Sequence, residues 1–208
     1  MGDVTALTSY TIHTKKDQEE EEEVDARRVA VGSGGTVACY DAESGKRVKT
    51  TQVFSNGVRV HGIASSSSQA GKAKQPPFLA VYGENHLKLY SIDCNSEDCL
   101  FYCSVGPLRN WIMDAIFIPS SADSSKAACR LALGLSNNSV EVFDVRDRSA
   151  KKHSEYACSQ RSLLYSIKLF YSEVEASIYV ASGTILNSVL VWTVSFTDDP
   201  SKRRISQV

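Results

Sequence analysis

One pattern occurs four times in this chain, and it limits the fold more than any other feature. The copies are VAVGSGGTVACYD (29–41), LAVYGENHLKLYSID (79–93), LALGLSNNSVEVFDV (131–145) and VASGTILNSVLVWTV (180–194). Each has a short apolar run, a Gly with polar turn residues, and a second apolar stretch ending on an aromatic. Those aromatics, Tyr40, Tyr90, Phe143 and Trp192, stand 50, 53 and 49 residues apart. A period in that range marks stacked supersecondary units, none of which can bury its apolar face alone.

Each copy reads as a β-hairpin. In Leu87-Lys-Leu-Tyr90 and Val140-Glu-Val-Phe143 apolar and polar side chains alternate, as on a strand with one buried face. Gly, Asn and Ser between the arms supply turn conformations that other residues resist. Two further strand candidates separate successive hairpins: 47–54 and 58–64, 100–105 and 111–118, then 154–158 and 163–171. Residues 4–13 add an inner strand before the first hairpin. A hairpin plus two strands in about 50 residues is a four-stranded propeller blade of the WD40 or kelch type. The terminal aromatics and Val60-His61-Gly62 favour WD40, although no copy ends in Trp-Asp. The reading is an all-β chain of about four degenerate blades over 1–194, part of a larger ring. Residues 195–208 are a polar tail or the start of a next blade. KKDQEEEEE (15–23) and SSSSQAGKAKQPP (65–77) read as loop insertions.

The glycines of the first copy invite a cofactor-binding reading, which the following residues oppose. A dinucleotide or S-adenosylmethionine loop leads from a strand into a helix, whereas Gly32, Gly34 and Gly35 lead into strand-like Thr36-Val-Ala-Cys-Tyr40. No G-x-S-x-G elbow occurs, and His13, His61, His86 and His153 are scattered. The sequence therefore offers no catalytic constellation and no cofactor site, and the chain reads as a non-enzyme. Cys94, Cys99 and Cys103 form a C-x4-C-x3-C cluster that matches no zinc spacing, so the expectation is no metal. The net charge of -1 announces no nucleic-acid-binding field. No apolar run nears the ~20 residues of a membrane span, and no secretory leader is evident, so a cytoplasmic location without membrane contact is expected. Asn137-Asn138-Ser139 matches a glycosylation acceptor, which carries no weight in a cytoplasmic chain.

Several residues are candidate blade supports. His61 precedes a glycine in an inner strand, where it is expected to join a buried hydrogen-bond network. Asp114, within Trp111-Ile-Met-Asp-Ala115, is an acid in an apolar strand and requires partners. Tyr40, Tyr90, Phe143 and Trp192 are expected to wedge adjacent blades.

Between the hairpins stand three more particular elements: Arg59-Val-His-Gly-Ile63, Asn110-Trp-Ile-Met-Asp-Ala-Ile116 and Cys158-Ser-Gln-Arg-Ser-Leu-Leu164. Together with Leu79-Ala-Val-Tyr-Gly83, Leu131-Ala-Leu-Gly, Asn138-Ser-Val-Glu-Val-Phe-Asp144 and Val180-Ala-Ser-Gly to Val191-Trp192, the chain resembles the N-terminal propeller region of the WD repeat-containing protein six family. The resemblance spans the chain from the first hairpin to Trp192. It implies a non-catalytic adaptor for a FtsJ-type tRNA methyltransferase, in 2′-O-ribose methylation at wobble nucleotide 34. The partner would bring S-adenosylmethionine and the chemistry, while the WD subunit positions the tRNA. The acidic and serine-rich insertions depart from the family, whose members are longer. On this reading Arg161 and Arg109 are candidate tRNA or partner contacts, with structural ion pairs as the alternative. Lys151, Lys152, Arg203 and Arg204 are further phosphate candidates, with solvation as the alternative. The competing function is a WD scaffold that binds proteins only.

Overall fold

The computed structural model describes residues 3–15, 23–55, 57–66, 77–93, 98–119, 129–160, 162–195 and 205–207. Most of both expected insertions lies outside them. The described residues form sixteen strands in four antiparallel four-stranded sheets, without a helix. The chain divides into two compact units, Met1–Gly106 and Pro107–Val208, with two sheets in each.

In the first unit β1 (Val4–Lys15), β2 (Glu23–Ser33), β3 (Thr36–Asp41) and β4 (Arg47–Gln52) pair in chain order. A second sheet follows from β5 (Gly62–Ser65), β6 (Phe78–Gly83), β7 (His86–Ile92) and β8 (Cys99–Val105). The first glycine-rich copy is the β2–β3 hairpin. Gly34 has φ +55°, and a Cβ on Gly35 would stand 2.4 Å from the Phe54 carbonyl oxygen. The glycines thus serve a left-handed turn and a close backbone approach. Strand alternation sends Ile12, Ala30, Val37 and Cys39 to one face of the first sheet. They form a shared core with Leu79, Val81, Tyr90 and Ile92 of the second. Polar contacts support this stack: Ser65 Oγ donates to the Ser9 carbonyl at 2.9 Å, and Lys49 pairs with Asp98.

In the second unit the sheets are β12-β11-β10-β9 and β13-β14-β15-β16. The strands are β9 (Ile112–Ile118), β10 (Cys129–Leu135), β11 (Ser139–Arg146), β12 (Ser149–Ala157), β13 (Leu164–Ser172), β14 (Ser177–Thr184), β15 (Val189–Ser195) and β16 (Ile205–Gln207). Their common core sets Ala132, Val140, Val142 and Tyr156 against Ile167, Ile178, Val180 and Trp192. Side chains of this size contribute about 1.5–3 kcal/mol each on burial, so the inter-sheet layer is the dominant stabilising term.

Three expectations shift. The strand expected over 58–64 begins only at Gly62, because Val60 and His61 donate to the carbonyls of Gly34 and Tyr82 while the chain crosses between sheets. β12 starts at Ser149, five residues before the expected 154, behind a tight turn with φ 46° at Asp147 and 59° at Arg148. Positive φ at both turn positions gives the hairpin geometry that matches strand twist. The outer strand is polar on both faces at its start, so no apolar alternation announced it. In the tail, Ile205–Gln207 pairs with β15 as the outer strand of the fourth sheet.

Candidate functional site

The sheets gather their polar side chains mainly at contacts between neighbouring strands and sheets. Asp114 on β9 is buried. Its Oδ2 accepts the Leu169 backbone N–H of β13 at 2.9 Å, and its Oδ1 faces Lys168 Nζ at 3.4 Å. The acid therefore ties two neighbouring inner strands, and its charge is relieved by an exposed lysine. A second node centres on Asn138, wholly buried with φ 59° in the β10–β11 turn. Its Oδ1 accepts Ser182 Oγ–H at 2.7 Å and Trp192 Nε1–H at 3.2 Å, while Nδ2 donates to the Gln160 carbonyl at 3.2 Å. The residue that looked like part of a glycosylation motif is the polar centre of the unit's core.

Cross-strand ion pairs form a third set. Arg130 Nε meets Asp144 Oδ1 at 2.6 Å, and Arg28 pairs with Asp41 at the corresponding place in the first hairpin. Their sequence signal is an Arg two residues before the hairpin's alanine and an Asp directly after its aromatic. The second and fourth copies have Phe78 opposite Ser91 and Tyr179 opposite Thr193 there instead. Asp41 also accepts the Ser44 hydroxyl and backbone N–H, which, with the Arg28 charge, holds its carboxyl below the usual range.

Among the described residues, the predicted contacts Lys151 and Lys152 stand apart from Arg109. Lys152 bridges Glu155 at 2.6 Å and Glu141 at 3.3 Å, so its charge is engaged on its own sheet. Lys151 is exposed near the β11–β12 turn, at the end of the third sheet opposite that of exposed Arg109, which precedes β9. Arg161, Arg203 and Arg204 lie outside the described residues. His61 is exposed rather than buried. Its Nδ1 accepts the Glu84 backbone N–H at 3.3 Å, at a turn residue with φ 51°. Tyr90 and Trp192 stand in the inter-sheet cores, and Phe143 is buried. Tyr40 instead sits half-buried on the first sheet's opposite face, because its neighbour Cys39 takes the core side.

The cysteine cluster is separated by a bulge. The register slips between Leu89 and Tyr90, so Cys103 pairs with Leu89 while Cys99 pairs with Ile92. Those partners point to opposite faces, which divides the two thiols between them. Cys94 lies outside the described residues. A hydrogen bond with Cys39 and burial raise the Cys99 thiol, and burial pushes Cys103 up to about 11. Among the described residues no group of three His, Cys, Asp or Glu side chains could hold a metal ion.

One end of the second unit differs in character. It comprises residues 107–111 before β9, the turns 136–138 and 185–188, and the stretch 158–165 less residue 161. Both inner strands carry a register shift here, at Met113 in β9 and at Tyr165 in β13. The second shift leaves Tyr165 as an extra residue outside the ladder and 73% exposed. Ile185 N–H donates to the Leu163 carbonyl at 3.1 Å, which ties the β14–β15 turn to the chain entering β13. Ser136 N–H fixes the Trp111 carbonyl at 2.9 Å.

Comparison with solved structures agrees with the four-sheet pattern. The crystal structure of RRP9 WD40 repeats matches 99% of this chain and 51% of its own, with TM-score 0.63 and 13% identity. The fold is a WD40-type β-propeller fold. Its four sheets are blades of a partial propeller. The crystal structure of BBS1N in complex with ARL6DN also matches, over 91% of this chain and 49% of that one, with TM-score 0.56 and 15% identity. The chain thus spans about half the length of the solved structures it matches. No family model and no curated protein matches it.

Proposed function

We propose that the chain is a non-catalytic WD-repeat adaptor that partners a FtsJ-type methyltransferase. In this reading it positions tRNA for 2′-O-ribose methylation at wobble nucleotide 34. The observation that carries the reading is the set of family-like segments between the hairpins, which falls on WD40-type blades. Two family-like segments, one before β9 and one in the third hairpin, supply residues with defined contacts: Asp114 at the β9–β13 contact and Asn138 at the Trp192 node. An adaptor lowers the barrier by orientation, holding the ribose hydroxyl against the cofactor methyl on its partner. Paired sheets packed on a common core within each unit suit that task. The enzyme supplies S-adenosylmethionine; this chain would supply placement, with Arg109 and Arg161 the candidate contacts.

A protein-only scaffold is the second reading. It is favoured by the BBS1N match, a neighbour of similar fold solved in complex with ARL6DN. Tandem affinity purification followed by mass spectrometry separates the two. The adaptor reading expects a FtsJ-like methyltransferase and tRNA in the complex. It also expects loss of the 2′-O-methyl group at nucleotide 34 when the gene is deleted, read by nuclease digestion and mass spectrometry. Unchanged methylation in the deletion strain overturns it and leaves the scaffold reading.

A further inference from the structure

The two sheets of the first unit bring a pair of thiols together across their contact. Strand alternation turns Cys39 of β3 into the shared core, where it is buried. Cys99, the first residue of the outer strand β8, is half-buried and packs against that core. An ion pair fixes the approach independently. Lys49 stands directly opposite Cys39 in the β3–β4 ladder, and its ammonium pairs with Asp98, the residue before Cys99. Opposed residues of a ladder point to one face, so this bridge draws the start of β8 toward Cys39. The two thiols share a hydrogen bond there, and the Tyr10 hydroxyl bonds to Cys39 as well. Beside Cys99 lies a small apolar cavity lined also by Val37, Val53 and Leu79. It gives a shifting sulfur room that a close-packed interior would refuse. Cys103 is turned to the other face of β8, and Cys129 and Cys158 belong to the second unit.

We propose that Cys39 and Cys99 are a redox-sensitive pair, which hydrogen peroxide closes into a disulfide that staples β3 to β8. An oxidant reaches Cys99 first, because Cys39 is the more deeply buried sulfur. The Cys99 thiolate attacks one peroxide oxygen and the O–O bond breaks. A sulfenic acid forms, and the departing hydroxide takes up the proton that the thiol released, giving water. Cys39 Sγ then attacks the sulfenic sulfur: the S–S bond forms, the S–O bond breaks, and hydroxide leaves with the Cys39 proton as a second water. The two thiols thereby lose two electrons and two protons, which the peroxide gains. Burial and the shared hydrogen bond disfavour the Cys99 thiolate, while the nearby Lys49 favours it. The pair therefore reacts slowly and stays reduced until oxidant is abundant. Closing the long loop between the two positions restricts the unfolded chain and so stabilises the folded unit. A reducing dithiol reopens the bond. This device goes beyond the adaptor reading and does not depend on it.

Treating the purified chain with hydrogen peroxide, then alkylating it and fragmenting its peptides by tandem mass spectrometry, reads the bond directly. The expected product carries a Cys39–Cys99 cross-link, has lost two hydrogens, and regains both thiols with dithiothreitol. Its thermal midpoint should rise by roughly 5–15 °C on oxidation and fall back on reduction. Cys39→Ala and Cys99→Ala should show neither the cross-link nor the rise, while Cys103→Ala should behave as the parent does. If a core variant fails to fold by circular dichroism, the cross-link and the midpoint of the parent decide alone. Four outcomes overturn the proposal. They are both cysteines still open to alkylation after oxidation and denaturation, a disulfide through another cysteine instead, Cys99 carried to the sulfinic acid without a cross-link, or a Cys39–Cys99 bond that leaves the midpoint unchanged.

Discussion

Replacing Asn138 should weaken the second unit more than any surface change of the same size. Its Oδ1 accepts two hydrogen bonds, from Trp192 Nε1–H and Ser182 Oγ–H, in a place with no solvent exposure. Asn138→Gly removes the side chain but keeps a residue at ease at φ 59°. Each buried donor left unpaired costs about 1–3 kcal/mol, so the two together should cost roughly 2–6 kcal/mol. Asn138→Ala adds backbone strain of about 1–2 kcal/mol, since alanine resists the left-handed region. Urea unfolding followed by circular dichroism measures both. A double-mutant cycle with Trp192→Phe isolates the indole bond, because phenylalanine keeps most of the ring and lacks the donor. The cycle should show a coupling of about 1–3 kcal/mol. A Gly variant within about 0.5 kcal/mol of the parent, or a coupling near zero, would refute the claim that this node holds the core.

Two further outcomes follow from the same physics. Asp114→Ala leaves the buried Leu169 N–H without its acceptor and should cost about 1–3 kcal/mol in urea unfolding. Asp114→Asn, which retains an acceptor oxygen, should cost less. Stability should also fall as pH climbs above the thiol range. The folded chain holds the Cys103 proton to about 11, against 9.0 for an unperturbed thiol. Between those values the unfolded state binds fewer protons, so rising pH favours unfolding. Tyr10, raised by burial and by Cys39, and Cys99, raised by Cys39 and burial, act in the same direction. A thermal midpoint that stays level from pH 8.5 to 11 would contradict this, as would rapid Cys103 alkylation in the folded chain at pH 8.

The hairpins were legible because each is a contiguous stretch in which burial on one face and a tight turn leave a local mark. Alternation around Tyr90 and Phe143, and turn residues between the arms, gave their place and length to within a few residues. Strands without an apolar face left no such mark, which is why β12 begins earlier than its apolar residues indicated and why β16 went unseen. Arg28–Asp41 and Arg130–Asp144 were readable in principle, since their partners are 13 and 14 residues apart in one hairpin.

The amino-acid sequence alone determined the class of fold: four repeats of one hairpin, with aromatics at a near-constant interval, admit stacked four-stranded sheets and little else. Tertiary structure decided which polar residues matter. Asn138 reaches Ser182 and Trp192 across 44 and 54 positions, and Asp114 reaches Leu169 across 55. No local pattern encodes such pairings, because they depend on how one sheet is stacked on the next. A one-residue slip in register likewise parted Cys99 from Cys103, and another pushed Tyr165 out of its ladder. Strand side chains alternate with a period of two, so a single extra residue reverses the face of all that follow, and only the paired strand reveals it.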